Sequence, residues 1–492
     1  MYQIDFNHPV RVFFVGIGGI SMSGLAQILA SEGFTVSGSD RSRSPITQEL
    51  EESGIRVHIG QRAENITDDI DLAVFTAAIH PDNPEYIAVQ EKGIPSLTRA
   101  ELLGQLMKNY RLPVAVSGTH GKTTTTSMLS EILLAANVDP TLSIGGILPS
   151  IGGNVRVGGS RYFVAEACEY TNSFLHMFPK IGIILNIEED HLDFFKDLDD
   201  IRRSFRRFAQ LLPRDGALII NADIDHIPAL TQGLTCDIIT FQGTENPAQA
   251  PSAGADEAAA AGPDAKAGPG SAAAASEAAD YRAADIEFDD WGHPSFTMHG
   301  PARYGDPVRI RLHVPGLHNV GNALAAAAAA DRMGIPRDQI AAGLAAFSGT
   351  DRRFQYKGVR NGFTIIDDYA HHPTEIEATL RAAGACPHDR IICVFQPHTY
   401  SRTKSLLDGF AHALCHADIV ILADIYAARE TDTLGVSSQT LQEEIRRLGH
   451  DCLYFPSFEE IEKYLLANCR KNDLVITMGA GDVNQIGTDL LS

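Results

Sequence analysis

The sequence predicts an α/β protein of three domains, each built on a largely parallel sheet with helices on its faces. Three observations predict it. Apolar, β-branched runs such as RVFFVG, PVAVSG, IGIILNI, IICVFQ and DLVITMG alternate with helical patterns along almost the whole chain. Unbroken apolar strands are those covered on both faces, and strand–helix alternation is the mark of parallel sheets. The 492 residues suffice for about three domains of ordinary size. Two of the runs end in glycine turns, at Gly16 and Gly118, and each turn is followed by a helical stretch.

The boundaries follow from where these patterns break. The helical RAELLGQLMKNY hands over to the strand PVAVS, so residues 1–109 form a first, Rossmann-like domain. The helical PRDQIAAGLAAF closes a central domain of the P-loop ATPase kind at residues 110–347, and residues 348–492 form a third, Rossmann-like domain. Within the central domain, Asn246 to Asp280 contains no Val, Ile, Leu, Met or aromatic residue. Such a segment buries too little apolar surface to offset its ordering entropy, so it reads as a disordered insertion without a catalytic role.

Composition limits the partners. The formal net charge of −22 argues against a nucleic-acid or anionic-membrane surface, because phosphates call for a basic face. No apolar run reaches transmembrane length, and the start MYQIDFNHPVRV is not a leader peptide. The seven cysteines are scattered, with no CxxC pair, which predicts free thiols in a reducing cytoplasm.

The first turn reads Gly16-x-Gly18-Gly19-Ile20-Ser21, with Asp40 at the distance of a ribose-binding acid. Ser21 stands where a dinucleotide fingerprint has its third glycine. A glycine turn that opens a helix still offers N–H groups to a diphosphate, so the loop reads as a diphosphate site rather than an NAD site. The bland alternative is a tight strand–helix turn that binds nothing. The second turn, Gly118-Thr119-His120-Gly121-Lys122-Thr123-Thr124, is a short G-x-x-G-K-T variant in which Val116 replaces the first glycine of the long Walker form. Lys122 can neutralise β- and γ-phosphate charge and Thr123 can hold a metal ion that bridges them, which points to ATP.

Polar residues gather at the ends of further strands. Glu166 ends RYFVAE; Asn186 and His191 follow IGIILNI, and adjacent strands would bring Glu166 and His191 to one crevice beside Thr123. Alone, His191 reads as a hydrogen-bonding or helix-start residue. His318, Asn319 and Asn322 lie in the first turns of a small-residue helix, where they can cap it or read an adenine edge. Asp367, Asp368, His371 and His372 end another strand, His398 and Arg402 a further one, and Arg352 and Arg353 precede them. Arginine suits carboxylates and phosphates.

In this order GIGGISMSG, SGTHGKTTT, AEACEYTNSF, NIEEDHLDFF, GLHNVGN, GTDRRF, DDYAHHPTE, QPHTYSRT and MGAGD resemble the motifs of the Mur ligases, the ATP-dependent amino-acid ligases of peptidoglycan synthesis. The resemblance runs from about Val10 to Asp482, broken by the alanine-rich insertion. The family's acidic motif often reads ADESD; here it is ACEYTN. The resemblance implies a UDP-sugar on the first domain, held by Gly16, Gly18, Gly19, Ile20, Ser21 and Asp40. It implies ATP on the second, held by the loop Gly118 to Thr124 and by His318, Asn319, Asn322, Arg353 and Asp367. Magnesium, or manganese in its place, falls to Thr123, Glu166 and His191. Lys122, Glu166, His191 and His371 become the catalytic set, with Tyr369, His398 and Arg402 around the amino acid.

The implied reaction joins L-alanine to the lactyl carboxylate of UDP-N-acetylmuramate through an acyl phosphate, in the cytoplasm. The implied partners are those two substrates and ATP, without nucleic acid or membrane, on a monomer or homodimer. A paralogous ligase that attaches a whole peptide to the same sugar is the nearest alternative. An NAD-dependent oxidoreductase and a nucleotide-gated binding protein are more distant ones.

Overall fold

The computed structural model describes residues 2–492 except 77, 160, 193, 244–278, 429 and 433. Most of the 246–280 insertion therefore lies outside the described residues. Three sheets follow one another along the chain. The first joins β1 (Arg11–Val15), β2 (Thr35–Asp40), β3 (Arg56–Ile59), β4 (Leu72–Phe75) and β5 (Ser96–Thr98) in the order β3-β2-β1-β4-β5, all parallel. The apolar runs behave as their composition dictates: Val12 to Val15 and Leu72 to Phe75 are buried throughout. β1 lies between β2 and β4, where the winding of the sheet reverses, and ligands bind beyond the carboxyl ends of strands at such a point.

The central sheet comprises β6 (Leu112–Ser117), β7 (Thr141–Leu148), β8 (Gly153–Arg156), β9 (Tyr162–Glu166), β10 (Ile181–Ile184), β11 (Ala217–Asn221), β12 (Asp237–Gln242), β13 (Tyr281–Phe288), β14 (Pro294–His299) and β15 (Val308–Arg311). Their order is β15-β14-β13-β12-β11-β10-β6-β9-β7-β8. It is parallel from β7 to β13; at its ends β8 pairs antiparallel with β7, β14 with β13 and β15 with β14. β6 again lies at a reversal, between β9 and β10. The helix His318–Met333 buries its alanines against this sheet and the helix Lys122–Ala135. Small residues permit close approach: a Cβ at Gly343 would strike the backbone of Ile132.

The third sheet takes β16 (Gln355–Arg360), β17 (Phe363–Asp368), β18 (Ile391–Phe395), β19 (Ile419–Leu422), β20 (Cys452–Tyr454) and β21 (Leu474–Met478) in the order β16-β17-β21-β18-β19-β20, with only β16 antiparallel.

The three units are joined unequally. One apolar core runs from the first sheet into the central one, including Leu102, Leu106, Tyr110, Phe163 and Phe174, with Tyr110 and Phe163 4.8 Å apart between ring centres. The third sheet keeps two apolar cores of its own. It meets the central unit through polar contacts, including Arg402 to Asp190 at 2.8 Å and the Thr374 hydroxyl to Glu188 at 2.8 Å. Polar seams open at lower cost than shared apolar cores.

Candidate functional site

The first glycine turn is held from the neighbouring strand. The N–H groups of Gly16 and Ile17 donate to the Ser39 carbonyl at 2.9 Å each, and Gly18 N–H donates to Asp40 Oδ2 at 2.8 Å. Asp40 thus lies on the loop itself. The helix Ile20–Ser31 starts from Gly19 with no side chain capping its first turn. A cavity of about 400 Å³ lined by Arg41, Gln61, His80 and Asn83 opens beyond β2, β3 and β4. Another of about 330 Å³ lies on the other side, between Ile20, Ser21 and Arg99 of the first unit and Asn154, Glu166 and Cys168 of the second. Arg99 reaches Ser21 Oγ at 3.1 Å. Among the described residues it has no carboxylate partner, and burial lowers its pKa.

The second turn needs glycine at both ends. Gly118 (φ 145°) and Gly121 (φ 81°) have positive φ; a Cβ would come within 2.9 Å of Leu185 at the first and 2.7 Å of Asn322 Oδ1 at the second. Residues after β10 clasp the loop: Asn186 Oδ1 accepts from His120 N–H at 2.7 Å, and Glu188 N–H donates to Thr119 Oγ1 at 2.9 Å. The Lys122 ammonium folds back onto the carbonyls of Gly118 (2.5 Å) and Thr119 (3.0 Å) and onto Glu169 (3.0 Å). Burial opposes its charge, but Glu169 and Cys168 prevail and raise its pKa. Thr123 Oγ1 donates to Glu166 Oε2 at 3.2 Å, and Gly145 N–H to Glu166 Oε1 at 2.5 Å. Burial pushes the Glu166 carboxyl up.

Glu166 and His191 do not come from adjacent strands, as their spacing in the sequence suggests. β9 and β10 flank β6 on opposite sides, and both residues therefore reach its carboxyl end from either hand. His191, at φ 54°, packs against Tyr170 with the rings tilted at 31° and lies 3.8 Å from Glu169 and 3.7 Å from Asp190. Burial lowers its pKa.

Two cavities separate the central and third units. One of about 460 Å³ is bounded by His120, Gly121 and Thr124 of the loop, by His318, Asn319 and Asn322, and by Arg353, Asp368 and Glu375 from the third unit. Asn322 and Asn319 bond each other at 3.0 Å, and Asn319 also donates to the Pro315 carbonyl at 2.7 Å. Asp367 faces the other way, to Arg352 (3.2 Å) and the Thr477 hydroxyl (2.9 Å). Burial pushes Asp368 up to about 6. The other cavity, about 540 Å³, is lined by Tyr170, Asp190, His191, Tyr369, His371, His398 and Arg402. Burial holds His371 and His398 down to about 4, so both are neutral near pH 7. Arg402 holds Asp190 far below the usual carboxylate range against the cost of burial.

Family models described as "Mur ligase family, catalytic domain", "Mur ligase middle domain" and "Mur ligase, glutamate ligase domain" match residues 11–111, 116–330 and 352–481. A UDP-N-acetylmuramate–L-alanine ligase of Lachnospira eligens is 57% identical over the full length of both chains. The chain belongs to the Mur ligase family. Among solved Mur ligase structures, the UDP-N-acetylmuramate–alanine ligase of Thermotoga maritima superposes with a TM-score of 0.75 at 26% identity, covering 98% of each chain. A murein peptide ligase of Psychrobacter arcticus shares the fold, with a TM-score of 0.69 at 24% identity over 98% of each chain.

Motif reading passed over several residues at this Mur ligase site. Glu169 sits in the ACEYTN stretch, whose short helical turns are interrupted by left-handed Thr171 and Asn172. Arg99 belongs to a helix that reads as ordinary amphipathic sequence. Glu188, Asp190 and Glu375 are single acids whose partners across the seam, Thr374, Arg402 and His120, lie 186 to 255 residues away along the chain. The one available signal was the acidic run EED before His191.

Proposed function

We propose that this chain is an ADP-forming ligase that joins L-alanine to the lactyl carboxylate of UDP-N-acetylmuramate, supplying a peptidoglycan precursor. The observation that carries the reading is the position of Glu166. It lines the cavity beside the first glycine loop and bonds Thr123 of the second. A sugar diphosphate on one loop and ATP on the other thus have their reactive ends directed to one place.

The division of labour follows. Residues 1–109 hold the UDP-sugar, with the diphosphate at Gly16 to Ser21, and Arg99 receives the lactyl carboxylate. Residues 110–347 hold ATP, whose phosphates displace the Lys122–Glu169 contact and draw the ammonium to the β- and γ-oxygens. Residues 348–492 contribute Arg353 to the nucleotide and Tyr369, His371, His398 and Arg402 to the amino acid. Thr123 and Glu166 present oxygen donors that suit magnesium, and His191 would complete the set from the far side of β6. Bound there, the ion would offset the meeting of phosphate and carboxylate charge.

The lactyl carboxylate attacks the γ-phosphorus, giving an acyl phosphate and ADP. The alanine amine then attacks the acyl carbon and expels phosphate. Lys122, Arg99 and Arg353 stabilise the converging anions. Neutral His371 or His398 accepts the proton that the amine loses. Closure of the third unit over the crevice keeps water from the acyl phosphate. Among the described residues no helix is long and apolar enough to cross a membrane, and all seven cysteines are free, which supports a cytoplasmic setting. Mass spectrometry of the product from UDP-N-acetylmuramate, L-alanine and Mg-ATP tests the proposal. One alanine residue added to the sugar nucleotide is expected; an unchanged sugar nucleotide overturns it.

A further inference from the structure

The seam between the central and third units holds a cluster that the ligase reaction does not use as a set. His120, Glu188 and His372 each offer one ligand atom, and these atoms all lie within 4.8 Å of one another. His120 comes from the phosphate loop, Glu188 from the segment after β10, and His372 from the start of the helix Pro373–Gly384. We propose that these three side chains form a binding site for a zinc-class transition-metal ion, separate from the magnesium site, which ties the third unit to the central one.

Three observations support it. First, the donor set is right for such an ion. Two imidazoles and one carboxylate match zinc and cobalt better than magnesium, whose ligands are mainly oxygen. Second, each imidazole is already oriented by a partner on its other nitrogen. His120 Nδ1 lies 3.2 Å from Glu375 Oε1, and His372 Nε2 lies 3.1 Å from the Glu189 carbonyl. Partners of this kind fix the tautomer and orientation of metal-bound histidines. They leave His120 Nε2 to face an ion; His372 Nδ1, which accepts from Thr374 N–H at 3.3 Å as the helix cap, gives up that bond to join it. Third, His120 Nε2 is buried without a well-formed hydrogen bond and faces Glu188 Oε2 at 3.5 Å. Burial opposes its charge, but Glu188 and Glu375 outweigh it and raise the imidazole to about 9, so an ion binds there by displacing its proton. An ion satisfies that nitrogen. Zinc–nitrogen bonds of about 2.1 Å place tetrahedral ligands about 3.4 Å apart, so modest side-chain rotations close the site. His120 and Glu188 also line the neighbouring cavity, from which solvent can supply a fourth ligand.

The ligands belong to both units, so an occupied site resists opening of the seam. Zinc therefore slows turnover even when magnesium is in excess.

The test uses the full-length protein. Co²⁺ is titrated and followed by its visible absorption, and Zn²⁺ by competition with a chromogenic chelator, both in excess Mg²⁺. One ion per chain is expected, with four-coordinate cobalt absorption. His372→Asn keeps a helix-capping side chain but removes the imidazole; Glu188→Gln removes the charge. Each is expected to weaken zinc binding at least tenfold, while Glu166→Gln and His191→Ala keep it. Two variants on separate elements let one decide if the other misfolds. The proposal is overturned if the wild type binds no stoichiometric ion, if both seam variants bind zinc as tightly as the wild type, or if binding is lost instead in Glu166→Gln or His191→Ala. Binding is read without turnover, so its failure leaves the ligase reading untouched, and failure of that reading leaves this one.

Discussion

Replacing Lys122 with methionine separates what this residue does for catalysis from what it does for the fold. Its ammonium has two carbonyls and both Glu169 oxygens within 3.2 Å, and the Glu169 side chain is only 3% exposed. Lys122→Met strands that carboxylate. Breaking a buried pair by removing one partner costs about 3–5 kcal/mol. His191, 3.8 Å from Glu169, takes up a proton more readily once the Lys122 charge is gone, which places the effect near the lower end. About 3 kcal/mol in a unit of roughly 200 residues lowers its melting temperature by about 6–12 °C. Turnover falls by about 10²–10³, the typical cost of one lost transition-state donor. UDP-N-acetylmuramate affinity stays within about twofold, as for sites without shared partners. Adding Glu169→Gln restores most of the stability and none of the turnover. Scanning calorimetry, sugar-nucleotide calorimetry and a coupled ADP assay read the three quantities. Recovery of turnover in the double variant, or near-normal turnover in Lys122→Met, refutes the reasoning.

Arg99→Ala weakens UDP-N-acetylmuramate binding about 10–100-fold through loss of one charge-assisted contact, and leaves ATP binding alone; titration calorimetry with each ligand checks both. His191→Ala raises the magnesium requirement and spares the melting temperature, whereas a lowered melting temperature with unchanged magnesium dependence makes His191 structural. A short Gly/Ser bridge in place of 246–278 leaves activity and melting temperature nearly unchanged, because closing a shorter loop costs little and β12 and β13 already pair at Phe241 and Tyr281; a large loss in thermal scans contradicts this. His371 and His398 sit at about 4 when folded, below the 6.5 of the free side chain. The unfolded chain therefore takes up their protons first. Their contribution is complete above about pH 6.5 and is lost as pH falls towards 4. Urea unfolding across that range is expected to show a shallower acid loss in His398→Gln than in the wild type, and equal slopes contradict it.

What was legible in the sequence was whatever depends on local pattern. The apolar runs ending in Gly16 and Gly118 became β1 and β6, each at a reversal of its sheet, because buried parallel strands advertise themselves by composition. Strand order is not local, so the placing of β9 and β10 on opposite sides of β6 could not be read. Neighbouring residues of a strand face opposite ways; nothing in IIDDYAHH says that Asp367 turns to Arg352 and Thr477 while Asp368 turns to the cavity. Glu169 lies in irregular backbone with no period to read. The seam acids Glu188, Asp190 and Glu375 acquire meaning only when the third unit packs against the second.

Phosphate release with Mg-ATP and UDP-N-acetylmuramate, assayed with each amino acid in turn and with a muramyl-type peptide, tests the central claim most directly. The account predicts release that requires both the sugar nucleotide and L-alanine, with the other amino acids and the peptide far less effective. Release driven best by the peptide, or release that ignores the sugar nucleotide, would contradict it.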